Sequence, residues 1–86
     1  MAERIVVYGA DWCGDTIRTL RHLDRSGAAY DYIDIDNDKA GEEKVIAHNN
    51  GKRRIPLVEI DSDNGDPLRL SVPRDAELDA ALKQTK

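Results

Sequence analysis

One sulfur sets the range of chemistry open to this chain. Cys13 is the sole cysteine among 86 residues and stands in the segment Trp12-Cys13-Gly14-Asp15-Thr16. A β-branched run precedes it and an amphipathic run follows, so it falls where a strand passes into a helix. Open N–H groups and the helix dipole at such a junction favour an anion. Thiolate is the form that attacks disulfides. Trp12 is placed to shield one side of the sulfur, and Gly14 lets a partner backbone approach closely. Thr16, three residues on, is expected to donate its hydroxyl proton to the sulfur anion. Asp15 works against it by placing a second negative charge nearby. The two effects offset each other, so strong activation is not expected. The bland role for a lone cysteine is a small buried hydrophobe, which its place after Asp11-Trp12 at a helix start disfavours.

A second group of residues lies near Pro56. Preceded by Ile55, this proline opens an apolar run, in itself an edge-strand feature. Lys52-Arg53-Arg54 reads first as a solvated loop. Because it leads into that strand, one of its cations, Arg54, is a candidate to hold a carboxylate of a small ligand. His22 lies nine residues beyond Cys13, about 13 Å along a helix, too far to act as its base. His48 suits the end of a helix, and both histidines read as structural. Asp34-Ile35-Asp36-Asn37-Asp38 begins like a calcium loop but has Lys39 and Val45 where that loop needs Gly and Glu, so helix capping is the better role. Tyr30 and Tyr32 read as strand packing.

The elements that must position these residues follow from periodicity. Arg4 to Tyr8, ending at Gly9, is a short apolar run of the kind buried on both faces. A helix is expected from about Cys13 to Ser26, with Ile17, Leu20 and Leu23 as its inner stripe and Gly27 as its left-handed cap. Ala28 to Asp36 alternates with period two, Tyr30, Tyr32 and Asp34 facing one way and Asp31, Ile33 and Ile35 the other. Together they make a right-handed βαβ unit. Asp36-Asn37-Asp38 offers caps for a second helix running to about Asn49, with Val45 and Ile46 inward. Ile55 to Asp61 is a strand, Asp63-Asn64-Gly65-Asp66 a hairpin turn, and Pro67 to Leu70 the returning edge strand. Ser71-Val72-Pro73 begins the last helix, Pro being favoured at its first position, with Leu78, Ala81 and Leu82 inward.

Composition narrows the function classes. The net charge is −4, with Lys and Arg scattered among the acids, which argues against a nucleic-acid footprint. No apolar run approaches the ~18 residues of a membrane span, and the strand-like run near the start leaves no expectation of a secretory leader. A hydrophobic content of 40% suits one core, so residues 1–86 are expected to form a single domain. A lone cysteine rules out an internal disulfide and a multi-cysteine metal site. An active thiol needs a reducing compartment, the cytoplasm being the default.

The combination of pieces resembles the glutaredoxin family over nearly the whole chain, and most of all its mycoredoxin-like bacterial branch. It rests on Ile5-Val6-Val7-Tyr8, Trp12-Cys13-Gly14, Ala29-Tyr30 leading to Ile33-Asp34-Ile35-Asp36, then Asn50-Gly51-Lys52-Arg53-Arg54-Ile55-Pro56 and the hairpin before Pro73. The resemblance implies a thioredoxin-like α/β fold, β-α-β-α-β-β-α, with a four-stranded mixed sheet flanked by three helices. It implies a cis proline at Pro56 facing Cys13, with the Ile55 backbone pairing with the peptide part of a bound thiol. It also implies a thiol–disulfide oxidoreductase that reduces mixed disulfides with a low-molecular-weight thiol, glutathione or mycothiol, as co-substrate and no permanently bound cofactor. Partners would be that thiol and disulfide-bearing proteins, and the chain is expected to be a monomer. Three departures shape this reading. Thr16 stands where dithiol members carry a second cysteine, leaving a monothiol route. Asp15-Thr16 replaces the Phe-Ser of iron–sulfur members and no lysine precedes Cys13, so no metal is expected. Leu70-Ser71-Val72-Pro73 replaces a Gly-Gly pair of many glutathione users, which leaves the thiol open and makes Ser71 a candidate contact. A degenerate, non-catalytic thiol- or peptide-binding module is the alternative.

Overall fold

The computed structural model describes residues 4–61 and 67–84. Seven elements follow in the expected order: β1 (Ile5–Gly9), α1 (Gly14–Arg25), β2 (Asp31–Asp34), α2 (Lys39–His48), β3 (Leu57–Ile60), β4 (Leu68–Ser71) and α3 (Asp75–Gln84). The strands form one sheet in the order β2-β1-β3-β4. β2 runs parallel to β1, while β3 is antiparallel to both β1 and β4. The apolar run of β1 and the Leu57-Val58-Glu59-Ile60 strand β3 are central and buried throughout. β4, half-buried and alternating, takes an edge.

The sheet separates two apolar clusters. Ile5, Val7, Val58 and Ile60 pack on one side with Leu23 of α1 and Leu78 and Ala81 of α3. Val6, Tyr8, Leu57, Ile35 and Val45 of α2 pack on the other, with Cys13 against their edge. Tyr30 and Tyr32 join the first cluster while Ile33 and Ile35 join the second, as period two demands. Leu23 and Leu78 are fully buried, each worth ~1.5–3 kcal/mol of transfer free energy.

Several boundaries and one face differ from the sequence expectations, β2 among them, which keeps only Asp31–Asp34 of the expected Ala28 to Asp36. The inner stripe of α1 is Thr16, Thr19 and Leu23, with Leu20 half-buried. Ile17 is instead exposed. Thr16 nests under the end of β1, which turns the helix and rolls Ile17 outward. Of the three capping candidates before α2 it is Asp38 that serves, its carboxylate accepting from the Gly41 N–H at 2.9 Å. The return strand runs to Ser71, so the last helix starts later than Pro73. Val72 adopts φ 47°, a left-handed conformation costly for a β-branched residue. That turn separates strand from helix, and Glu77 accepts from the Arg74 N–H at 3.1 Å as half of a capping box. Gly27, with φ 73°, does end α1. The Ala28 N–H reaches the Leu23 carbonyl at 3.1 Å and the Gly27 N–H that of Asp24 at 3.2 Å, a Schellman motif. The expected hairpin turn at Asp63-Asn64-Gly65-Asp66 lies outside the described residues.

Candidate active site

Cys13 is the N-cap of α1. A turn brings it there: the Cys13 N–H donates to the Ala10 carbonyl at 3.1 Å, and its own carbonyl takes the first helical bond, from Ile17 N–H at 3.0 Å. Its side chain makes no capping bond, so the free N–H groups of the first turn open towards the sulfur's end of the helix. The sulfur is half-buried, 4.0 Å from the Ile55 carbonyl oxygen. The Ile55-Pro56 bond is cis. The crossing from β4 to α3 lies on the far side of that proline, the Val72 N–H donating to the Pro56 carbonyl at 2.8 Å. Three chain segments distant in sequence are therefore joined in a row, the sulfur to Ile55 and Pro56 to Val72.

The neighbours of Cys13 divide into those facing solvent and those facing the core. Gly14 is exposed, and a side chain added there would meet nothing within 4 Å. Asp15 is exposed and paired with Arg18 at 3.7 Å. Arg18 also donates to Asp75 at 2.8 Å and to the Pro73 carbonyl at 3.0 Å, tying the sulfur's helix to the start of α3. Thr16 is fully buried, and its hydroxyl accepts from the Ala10 N–H at 3.4 Å. The structure thus places that hydroxyl under the β1–α1 turn, while the hydrogen-bond partner of the sulfur among the described residues is the Ile55 carbonyl.

Trp12 is 66% exposed. Its indole N–H donates to Asp36 at 2.7 Å. Asp36 also pairs with Arg53, which reaches on to Glu42 at 2.7 Å. The Trp12 indole first, and Arg53 second, hold the Asp36 carboxyl below the usual carboxylate range. Nothing in local spacing marks this chain of contacts, since Trp12 and Asp36 are 24 residues apart. The signal lay in topology: parallel β1 and β2 deliver the loops that follow them to the same end of the sheet, and the Ile35 N–H bonds the Gly9 carbonyl there at 2.9 Å.

Arg53 is thus committed, whereas Arg54 is exposed and its guanidinium pairs with no described residue. The Ser71 hydroxyl faces α2, donating to the Asn49 side chain at 2.8 Å. Asn49 in turn donates to the Arg54 carbonyl at 3.5 Å. His22 lies between α1 and α3, 2.8 Å from Asp79, away from the sulfur.

A family model for glutaredoxin matches residues 5–63. The chain belongs to the glutaredoxin family. A glutaredoxin of Mycobacterium tuberculosis is 32% identical over 78 residues, spanning 91% of this chain and 88% of its own. Among solved structures, the glutaredoxin-like NrdH-redoxin of Escherichia coli aligns with a TM-score of 0.73 at 26% identity, covering 90% of this chain and 92% of that one. A buckwheat glutaredoxin in complex with glutathione aligns with a TM-score of 0.53 at 28% identity over 65% of this chain and 53% of that one. The fold is accordingly thioredoxin-like, as the resemblance implied. The chemistry of the family is thiol–disulfide exchange, and the chain carries one cysteine. No helix among the described residues is long and apolar enough to cross a membrane.

Proposed function

We propose that this glutaredoxin is a monothiol thiol–disulfide oxidoreductase that releases proteins from mixed disulfides with a low-molecular-weight thiol. One observation supports this most: the sole sulfur sits at a helix start, 4.0 Å from the Ile55 carbonyl that precedes cis Pro56. The Cys13 thiolate attacks the small-thiol sulfur of the mixed disulfide, and the protein sulfur leaves as a thiolate and takes a proton. A second small thiol then attacks the adduct, forms its own disulfide and restores Cys13. With Thr16 in place of a second cysteine, no internal disulfide competes.

The surrounding residues fit named roles. The Ile55 backbone and Pro56 align the bound thiol, Gly14 leaves the approach open, and Trp12 lines it. The Arg54 guanidinium, which pairs with no described residue, is available for a carboxylate of the small thiol. Ser71 supports that loop through Asn49. Asp15 is moderated by Arg18. Glutathione, held by the buckwheat relative, and mycothiol are the two co-substrates to compare, with no resident cofactor or metal required. A one-cysteine cycle suits a monomer in a reducing compartment such as the cytoplasm.

A coupled assay on a peptide carrying either thiol in mixed disulfide should show turnover with the better one, lost on Cys13→Ser. Equal turnover in that variant would overturn the proposal, and binding without turnover in the unmodified chain would make it a thiol- or peptide-binding module.

A further inference from the structure

The large apolar side chains exposed among the described residues are Trp12 and Ile17, 66% and 37% accessible, and both lie within about a helical turn of Cys13. Helical side chains lean towards the helix N-terminus, so Ile17 projects over the first turn, where Gly14 leaves open space. The sulfur thus opens onto an apolar apron with Trp12 at one border.

That border is acidic. The Tyr32 hydroxyl donates to Asp11 at 2.7 Å, and Asp34 accepts from the Asp36 N–H at 3.0 Å and the Asn37 amide at 2.8 Å. Burial, then the Asp11 hydrogen bond, then the charges of Asp11, Asp34 and Asp36 all push the Tyr32 phenol above its ordinary value, so these carboxylates share one corner. The cation paired there is Arg53, which Asp36 shares with Glu42. Arg53 is taken up by Asp36 and Glu42 and Lys39 lines the cavity beside them, while Asp11 and Asp34 pair with no cation among the described residues.

We infer that Cys13 takes its disulfides from polypeptide segments in which an apolar residue and a Lys or Arg flank the cysteine. The Trp12–Ile17 surface receives the apolar residue, and the Asp11, Asp34 and Asp36 corner receives the cation. This rests on the one-cysteine reading above. Charge complementarity selects a basic flank over an acidic one, which would meet like charge on that border. In the first step the Cys13 thiolate attacks one partner sulfur. The Cys13–S–S–partner bond forms, the old S–S bond breaks, and the second sulfur leaves with the electron pair, so no outside oxidant is consumed.

Peptides joined through cysteine to thionitrobenzoate test this, with flanks Leu-Lys, Leu-Gln or Leu-Glu. Attack by the reduced protein forms the peptide adduct and releases coloured thionitrobenzoate. At low ionic strength the basic peptide is expected to react about tenfold faster than the acidic one, with the gap closing in high salt. Asp11→Asn keeps an acceptor for Tyr32 while removing the charge, and is expected to narrow the gap about two- to threefold. Equal rates for all three peptides, or a gap unmoved by both salt and Asp11→Asn, overturn the docking inference alone. No colour from any peptide, with mass spectrometry finding neither peptide nor thionitrobenzoate on Cys13, overturns the one-cysteine reading and this inference with it; thionitrobenzoate on Cys13 from all three peptides without colour overturns the docking inference alone.

Discussion

At the scale of residues, the site depends on how charge is balanced around one sulfur. Cys13 was legible from the sequence because it sits at an element boundary that local pattern marks, whereas Pro56 read locally only as an edge-strand feature and drew its place in the site from the family resemblance. The role of Thr16 was not legible. Its spacing suggested a donor to the sulfur, but a fully buried threonine must satisfy the nearest backbone, and here that is the Ala10 N–H. Among the described residues no hydrogen bond joins Thr16 to the sulfur, and the charge of Asp15 is countered by Arg18, held 3.7 Å away and anchored by Asp75 and the Pro73 carbonyl. Arg18→Gln is therefore expected to slow iodoacetamide alkylation of Cys13 at neutral pH, and Asp15→Asn to speed it, each by about two- to fivefold, the scale of an exposed charge at a few ångströms. The double variant should return close to the original rate. Alkylation unchanged in both single variants would show that Asp15 does not act on the sulfur.

At the scale of elements, type and order were legible because periods of two and 3.6 survive in so short a chain, and the shared register of β1 and β2 follows from the βαβ rule. The rotation of α1 and the start of α3 were not, since both are decided by contacts across the fold. Gly9 decides the first. A Cβ placed on it would stand 2.5 Å from the Thr16 methyl and 2.6 Å from its hydroxyl. Strand and helix meet more closely there than any larger residue permits, which fixes the rotation that exposes Ile17. Val72 decides the second, because its left-handed turn delays the helix past Pro73. Gly9→Ala is expected to cost about 1–3 kcal/mol by overpacking, read as a lower urea midpoint. Combining it with Thr16→Ala should cost less than the sum of the single changes, because the clashing atoms are gone. Simple additivity would locate the strain elsewhere.

At the scale of the whole molecule, one buried carboxylate joins four elements. Glu59 lies in β3 at a polar position of an apolar strand, and nothing in the local pattern marks its side chain as only 10% exposed. Lys44 of α2 reaches one of its oxygens at 3.2 Å and Arg69 of β4 the other at 2.8 Å, and Lys44 also donates to the Tyr8 hydroxyl of β1 at 3.2 Å. Burial alone would raise the Glu59 carboxyl, but the bonds from Arg69 and then Lys44 outweigh it and hold the group below the ordinary carboxylate range. A depressed folded value means that this stabilisation is fully present above the unfolded glutamate value, about 4.3. It is lost as pH falls below that, through the folded value. Glu59→Gln is expected to be less stable by about 1–2 kcal/mol at pH 7, with the gap closing on acidification as the original chain loses its charge. Urea midpoints for both chains at neutral and acid pH check this. A gap constant across pH would mean that packing, rather than ionisation, makes Glu59 matter. A gap that closes would mean that the tie between α2 and β4, the strand leading into the Val72 turn beside Pro56, loosens in acid, and that the site's backbone loosens with it.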